Sequence, residues 1–373
     1  VNEKFVEEQR SAPFYAQERT TVDEQQSQEQ KHTRLEQVRH QAHEHLAAQQ
    51  WAAAQRLFQA LLAEDAYDED ALLGLAAALD GGNQFEELFT IAQRVLEIDL
   101  NSALALAYKA RALQKLERLS AATVANDQAL LLDTNLGLAW INRSGLQLLQ
   151  SKFPEALRSA ERAIELAPKD ARAWANYGVA LRNFNRLAES LDAFDKSLSF
   201  DQRQLFSLQM KGDILCRIGR MREVLPIVQQ GLEISPVDVP LLLLGVQAAR
   251  SLELYETVKN LAQILLQLIP DHLGACENYV RSLRGLGEFA EANIALDRLL
   301  ELDANNPRFW TLKADTLYRL ERYREAVTIA ERARRLDMEY QPARRIHEKA
   351  LKLMYQRKEK KKSQAKQPSD ETL

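Results

Sequence analysis

An internal period of 34 residues constrains this chain more than any other feature. Laid out in rows of 34, residues 35–340 fill nine rows with no insertion or deletion. Self-similarity at such a period marks a stack of small repeated units rather than one globular core. Seventeen places into successive rows stand Trp51, Phe85, Leu119, Phe153, Leu187, Met221, Tyr255, Phe289 and Tyr323, all large and apolar. With 46% of residues hydrophobic, nine in one column by chance is on the order of one in a thousand. Eight places in, seven of nine residues are Ala, Ser or Gly: Ala42, Ala76, Ala110, Ser144, Gly178, Gly212 and Ala314. Place 20 is small in six rows (Ala54, Ala122, Ala156, Ser190, Ala292, Ala326), and place 30 is large and apolar from Ile98 to Leu336 after a polar Glu64 in the first row.

Within a row the apolar places 4, 8 and 11, then 17, 20, 24, 27 and 30, trace the stripes of two amphipathic helices. Each row therefore predicts a helical hairpin. Small residues at place 8 let the two backbones approach. The turn between hairpins carries Asp65, Asp99, Asp133, Asp201, Asp303 and Asp337 at place 31 and Pro168, Pro236 and Pro270 at place 32. Asp68, Ser102, Asp170, Asp238 and Asn306 at place 34 are N-cap residues for the helix that follows. Composition agrees: 13 Gly and 10 Pro fall well below the roughly 26 and 19 of average usage, leaving few residues for the turns of a sheet. The predicted class is all-α.

Trp174, Tyr177-Gly178, Leu181, Leu187, Ser190 and Phe194, with Trp140, Phe153, Ala156, Ala163 and Pro168 in the preceding row, stand in the register of a known signature. In these columns the chain resembles the tetratricopeptide repeat family. The resemblance implies a right-handed superhelical solenoid of about nine 34-residue hairpins over residues 35–340. The first row departs from the pattern at His45 and Glu64, which suggests a frayed or shifted start. Residues 341–362 carry Ala343, Ile346, Ala350, Leu351 and Met354 on one stripe and read as a C-terminal capping helix. Residues 1–34 read as a polar extension, flexible or partly helical, and residues 363–373 as a disordered tail.

Several function classes receive no support. Two cysteines, Cys216 and Cys276, make no disulfide framework or Cys-x-x-Cys pair, so a reducing, cytoplasmic setting is expected. The longest apolar run, 239–249, is too short to span a bilayer and contains Pro240 and Gln247. Residues 1–8 have no apolar core of the signal-peptide kind, although the chain starts with Val rather than Met. Residues 341–373 hold 10 basic and 4 acidic groups while the rest is acidic, so no nucleic-acid footprint runs along the molecule. Glu36, His40 and His43 share one helical face, but without a fourth ligand they read as solvated polar residues. Gly285-Leu286-Gly287 imitates a dinucleotide fingerprint inside a hairpin, where no strand precedes it. Asn142-Arg143-Ser144 is a sequon only in form, because it falls within a helix. No P-loop, Gly-x-Ser-x-Gly or His-Glu-x-x-His occurs. Neither catalysis nor a cofactor, metal or small-molecule substrate is expected.

The resemblance implies that places 2, 5, 6, 9, 12 and 13 of each first helix line a concave groove. In the last five rows those places hold Arg172, Arg182, Arg217, Arg250, Arg281, Arg284, Arg308 and Arg319 against Asp213, Glu277 and Asp315. Residues 171–340 as a whole carry 22 basic and 23 acidic groups, so the excess belongs to the groove. Arginine without lysine suits bidentate recognition of carboxylate or phosphate. Asn142, Asn176 and Asn278 share place 6, where relatives use a ladder of asparagines to grip a peptide backbone; an amide both donates and accepts. The carboxylate clamp of some relatives is matched at Arg111, Asn142 and Arg172 but not at Ala107 and Asn176. The expected function is a non-enzymatic adaptor binding an extended, acidic polypeptide segment. The competing readings are a nucleic-acid- or membrane-associated module acting through a mobile basic stretch from Arg357 to Lys366, and the regulatory arm of a separate enzyme.

Overall fold

The structure, a computed structural model, describes residues 29–364, and all regular elements among them are helices. Residues 1–28 of the expected extension and 365–373 of the expected tail lie outside the described residues. The chain divides into two compact units, one ending at Phe200 and one beginning at Asp201. The first contains five hairpins: α1 (29–47) with α2 (Trp51–Glu64), α3 (Glu69–Gly81) with α4 (Phe85–Ile98), α5 (Ala103–Lys115) with α6 (Leu119–Leu132), α7 (Gly137–Leu149) with α8 (Phe153–Leu166), and α9 (Ala171–Asn183) with α10 (Leu187–Phe200). The second contains four, α11 (Leu205–Arg217) with α12 (Met221–Ile234), α13 (Val239–Ser251) with α14 (Tyr255–Leu268), α15 (Leu273–Leu286) with α16 (Phe289–Leu302) and α17 (Pro307–Arg319) with α18 (Tyr323–Leu336), followed by α19 (Gln341–Gln364). From α2 onward, each hairpin helix begins at place 1 or 17 of its row.

The turn inside every hairpin is set at place 15. Gln49, Asn83, Glu117, Ser151, Asn185, Glu253 and Glu321 adopt φ of 57 to 61°, and Gly219 and Gly287 adopt 80°. The next N–H then reaches back five residues to a carbonyl of the first helix, as Gln84 does to Leu79 at 3.0 Å and Arg118 to Leu113 at 2.9 Å. This bond satisfies one of the carbonyls a helix end leaves free, as in a Schellman motif. Between hairpins, the place-31 aspartates accept from the backbone two residues on: Asp65 from Tyr67 at 2.9 Å, Asp133 from Asn135 at 2.8 Å. The expected N-caps at Asp68, Ser102, Asp170, Asp238 and Asn306 accept from the first turn of the next helix. His272 does the same through Nδ1, a cap the residue type does not announce. Trp140, Trp174 and Trp310 at place 4 donate their indole N–H to the carbonyl of place 32 in the turn before, at 2.7–2.8 Å.

Small residues mark close approaches, as their columns predict. A Cβ on Gly178 would stand 3.0 Å from the buried ring of Phe194. The glycines of the dinucleotide-like match have local reasons: a Cβ on Gly285 would meet the Tyr255 ring at 2.6 Å, and Gly287 forms the left-handed turn. In the first row, His45 Nδ1 lies 2.5 Å from Gln50 Oε1, and Glu64 pairs with Lys31 at 2.5 Å, which holds its carboxyl below the usual range. His43 faces Asp70 at 3.2 Å and the edge of Phe58. Cys216 and Cys276 are free and buried, and burial pushes both thiols up. At the other end, α19 buries Ala343, Ile346 and Ala350 against the last hairpin. Arg357, expected in a mobile stretch, is instead held within this helix: it donates to Glu321 Oε2 at 2.7 Å and lies over the Tyr323 ring.

Candidate functional site

Within each unit, successive first helices present charges along one face, and those charges pair by a simple rule. A group at place 12 meets place 9 of the next hairpin, as in Asp80 with Arg111 at 3.1 Å and Arg284 with Asp315. A group at place 5 meets place 2, as in Arg39 with Asp70 at 2.8 Å and Glu277 with Arg308 at 2.7 Å. Places 5 and 12, like 2 and 9, lie seven residues apart, nearly two turns, so both rungs stand on the same side of the helix.

In the first unit these groups form a buried cluster. Asp80 is 7% exposed and accepts from Arg111 Nε at 3.1 Å and from Arg172 Nη1 at 2.5 Å. Arg172 also reaches Asp170 at 3.0 and 2.7 Å, while Asp170 caps α9. Burial acts to raise the Asp80 carboxyl, but the guanidiniums of Arg172 and Arg111 outweigh it and hold the group below the usual carboxylate range. The same balance, with Arg172 as the main opposing charge, lowers Asp170. Burial raises the neighbouring Tyr108 phenol and lowers the Lys115 ammonium, which lies over the Phe85 ring.

The asparagines expected to grip a ligand join helices together. Asn142 is 1% exposed and donates through Nδ2 to Ala107 O at 2.8 Å; its Oδ1 is buried with no hydrogen-bond partner among the described residues. Asn176 Nδ2 donates to Ile141 O at 3.0 Å and Ser144 Oγ at 2.8 Å. In both cases place 6 bonds to place 5 of the preceding first helix. Asn278 Nδ2 bonds within its own helix, to Gly274 O at 2.7 Å. Arg182 stands half-buried in the last turn of α9.

In the second unit the groove is more open. Arg281 and Arg308 share Glu277, at 3.3 and 2.7 Å, and Arg284 pairs with Asp315. Arg217, Arg250 and Arg319 are exposed and have no ion-pair partner among the described residues. With Arg284 they occupy the last turns of α11, α13, α15 and α17, one per hairpin. A cation in the last turn is favoured by the helix dipole in any case, so this row needs no ligand to be stable. Sequence reasoning did not single out Asp80 and missed that it organises the groove of the first unit; its readable signals are its groove place, 12, and its spacing of 31 from Arg111.

A family model described as tetratricopeptide repeat matches residues 147–204 and 280–340. No curated protein matches the chain. Among solved structures, pilF of Pseudomonas aeruginosa is 23% identical with a TM-score of 0.47, covering 57% of this chain and 94% of that one. A chain of the APC/C hetero-tetramer Cut9–Hcn1 is 17% identical with a TM-score of 0.48, covering 80% and 59%. A thermophilic tetratricopeptide repeat protein of Thermus thermophilus is 16% identical with a TM-score of 0.42, covering 49% and 99%. Helical hairpins at a fixed 34-residue step, tryptophans tied to the preceding turn and small residues under aromatic rings agree with the match, and residues 147–204 and 280–340 are tetratricopeptide repeats.

Proposed function

We propose that the chain is a non-enzymatic scaffold whose second unit binds an extended acidic segment of a protein partner along the first helices of its hairpins. The observation that carries this reading is the row of Arg217, Arg250 and Arg319, exposed and without an ion-pair partner among the described residues, while the other arginines of that groove have carboxylate partners. Three guanidiniums on one face repel one another and gain by meeting carboxylates, which a planar fork can take bidentately. Packed helices stand about 8–10 Å apart, and an extended chain rises about 3.3 Å per residue. The fitting ligand therefore has two acidic residues about three positions apart for Arg217 and Arg250, on the neighbouring helices α11 and α13, and a further acidic residue beyond them for Arg319, two hairpins on. Arg250 remains in the row expected from the sequence, whereas Arg281 and Arg284 are partly occupied by acids of their own groove.

The test is fluorescence anisotropy with a labelled peptide carrying Glu at every third position and a Lys-bearing counterpart. Specific binding of the Glu peptide, weakened in Arg217→Glu/Arg250→Glu/Arg319→Glu, supports the reading. Equal binding by the triple variant removes it. Affinity should fall with salt, since the contacts are exposed.

A further inference from the structure

Two clefts of this molecule stand at the same register of the repeat. One lies between α6 and the α7–α8 hairpin, the other between α16 and the α17–α18 hairpin. Their rims carry matching charges: an acid at place 25 (Asp127, Asp297), a cation at place 7 of the next row (Arg143, Lys313), a cation at place 16 (Lys152, Arg322) and Glu at place 19 (Glu155, Glu325). Their volumes, about 340 and 400 Å³, do not separate them, and both fall at the small end of ligand-sized pockets.

The interiors differ. At places 24, 11 and 14 the rows of the second cleft hold Leu296, Leu317 and Leu320, of which Leu317 lines the cavity, whereas the first cleft is lined there by Asn126, Gln147 and Gln150; the second cleft's own amide is Asn293 at place 21, whose Oδ1 is buried with no hydrogen-bond partner among the described residues. Places 24 and 11 belong to the packing stripe, so amides there break the pattern of the repeat. Asn126 is 1% exposed, lines the cavity, and has neither Nδ2 nor Oδ1 bonded among the described residues. Gln147 accepts from Ser159 at 2.7 Å, and Gln150 donates to Thr123 at 3.2 Å.

The rims differ in the same sense. In the second cleft Lys313 touches Asp297 directly, and Arg322 grips Glu325 at 2.7 and 2.6 Å. In the first cleft Arg143 stands 3.8 Å from Asp127, Glu155 stands 3.8 Å from Arg158, and Lys152 has no ion-pair partner among the described residues. The first cleft thus retains more bonding capacity: both ends of Asn126 are unbonded among the described residues against the Oδ1 of Asn293 alone in the second, and its rim charges are less tightly paired.

We infer that the cleft between α6 and the α7–α8 hairpin binds a small zwitterion bearing a carboxamide, of which L-glutamine and L-asparagine are the simplest. A buried primary amide with both ends unpaired is costly, and a second carboxamide satisfies it with one donor and one acceptor on a single edge. Asp127 and Glu155 suit the ammonium, and Arg143 and Lys152 the carboxylate. The cleft uses places 7, 11, 14, 16, 19, 24 and 25, none of them a groove place, so this site is independent of the peptide reading above.

The experiment is calorimetric titration of the full chain with L-glutamine, L-asparagine, L-glutamate and L-leucine. Saturable binding of an amide amino acid is expected, with glutamate at least about tenfold weaker, because a carboxylate offers acceptors only. Asn126→Leu and Gln147→Leu, each importing the residue found at that place in the rows of the second cleft, should each weaken binding at least about tenfold, while Asp297→Asn in the other cleft leaves it unchanged. Gln147→Leu decides the matter if Asn126→Leu loses its helical circular dichroism. No saturable heat with either amide amino acid would mean that water alone serves Asn126 and would overturn the inference. Unchanged affinity in the leucine variants would overturn it equally.

Discussion

The two units both put arginine on the groove face, the first at places 9 and 2 with Arg111 and Arg172, the second also at places 12 and 13 with Arg250, Arg217 and Arg319, and they use it differently. In the first, Arg111 and Arg172 converge on Asp80, Arg172 also holds Asp170, and the set is largely withdrawn from water. In the second, Arg217, Arg250 and Arg319 stand out from the ends of their helices with no ion-pair partner among the described residues. A guanidinium that already has its carboxylates has little left for a ligand; one that lacks them keeps its donors for the ligand proposed above. The first groove is thereby a structural device and the second a candidate binding surface, and a count of groove charges does not distinguish the two.

The contrast breaks most visibly at Asp80. Replacing it with Asn leaves two part-buried guanidiniums without their shared anion, a change whose upper limit is the roughly 3–5 kcal/mol of a fully buried pair. Urea unfolding followed by circular dichroism should show that loss in the transition of the first unit. A loss below about 1 kcal/mol would mean the cluster is solvated like an ordinary surface pair.

The pH response should follow the same division. Asp80 and Asp170 titrate below their usual range in the folded state. The stability they contribute is present above the unfolded carboxyl value of about 3.9 and is lost as pH falls through the lower folded value. Acid titration of the intact chain should therefore destabilise the first unit steeply below about pH 4, and Asp80→Asn should flatten that slope. An unchanged slope in the variant would assign acid sensitivity to other carboxyls.

In the second unit the expected effect is on binding rather than folding. Reversing Arg217, Arg250 and Arg319 to Glu removes exposed contacts worth about 0.2–1 kcal/mol each, so affinity for the Glu peptide should drop roughly tenfold or more. The melting temperature should hardly move, since none of the three is buried or ion-paired among the described residues. The same reversal at Arg284 would face Asp315, so it serves as the contrasting variant that loses stability as well.

How much of this was legible follows from the range of each interaction. Within each unit a hairpin packs on its neighbours, so columns 8, 17, 20 and 30 and the caps at place 34 mark helix boundaries to within a residue or two. The rungs between places 12 and 9 were readable in principle, as opposite charges 31 residues apart. The bond from Arg172 to Asp80 joins residues 92 apart, and no local pattern encodes it because it depends on how hairpins two to five curve together. The asparagines of place 6 were recognised as amides able to donate and accept, yet Asn142 and Asn176 spend their donors on neighbouring helices. The break of pattern at Asn126 and Gln147 was visible in the columns, but only the cleft geometry gave it a meaning.

Place 15 was the least legible position, because Gln, Asn, Glu, Ser and Gly share it and no residue preference shows. The backbone imposes the left-handed turn regardless of side chain, and an ordinary L-residue there costs about 1–2 kcal/mol over one free of Cβ. Glycine gives back part of that gain through its larger entropy loss on folding, about 0.5–1 kcal/mol. Glu117→Gly in the first unit and Glu253→Gly in the second should therefore each stabilise by about 0.5–1 kcal/mol. Both side chains are exposed, with φ of 61° and 57°. Equal gains in denaturant midpoint would show that the hairpin turn is one mechanical element throughout, so that the difference between the units lies in the groove charges alone. A gain confined to Glu253→Gly would instead show that the buried cluster beside α5 already holds that turn in place, extending the contrast from charge to backbone.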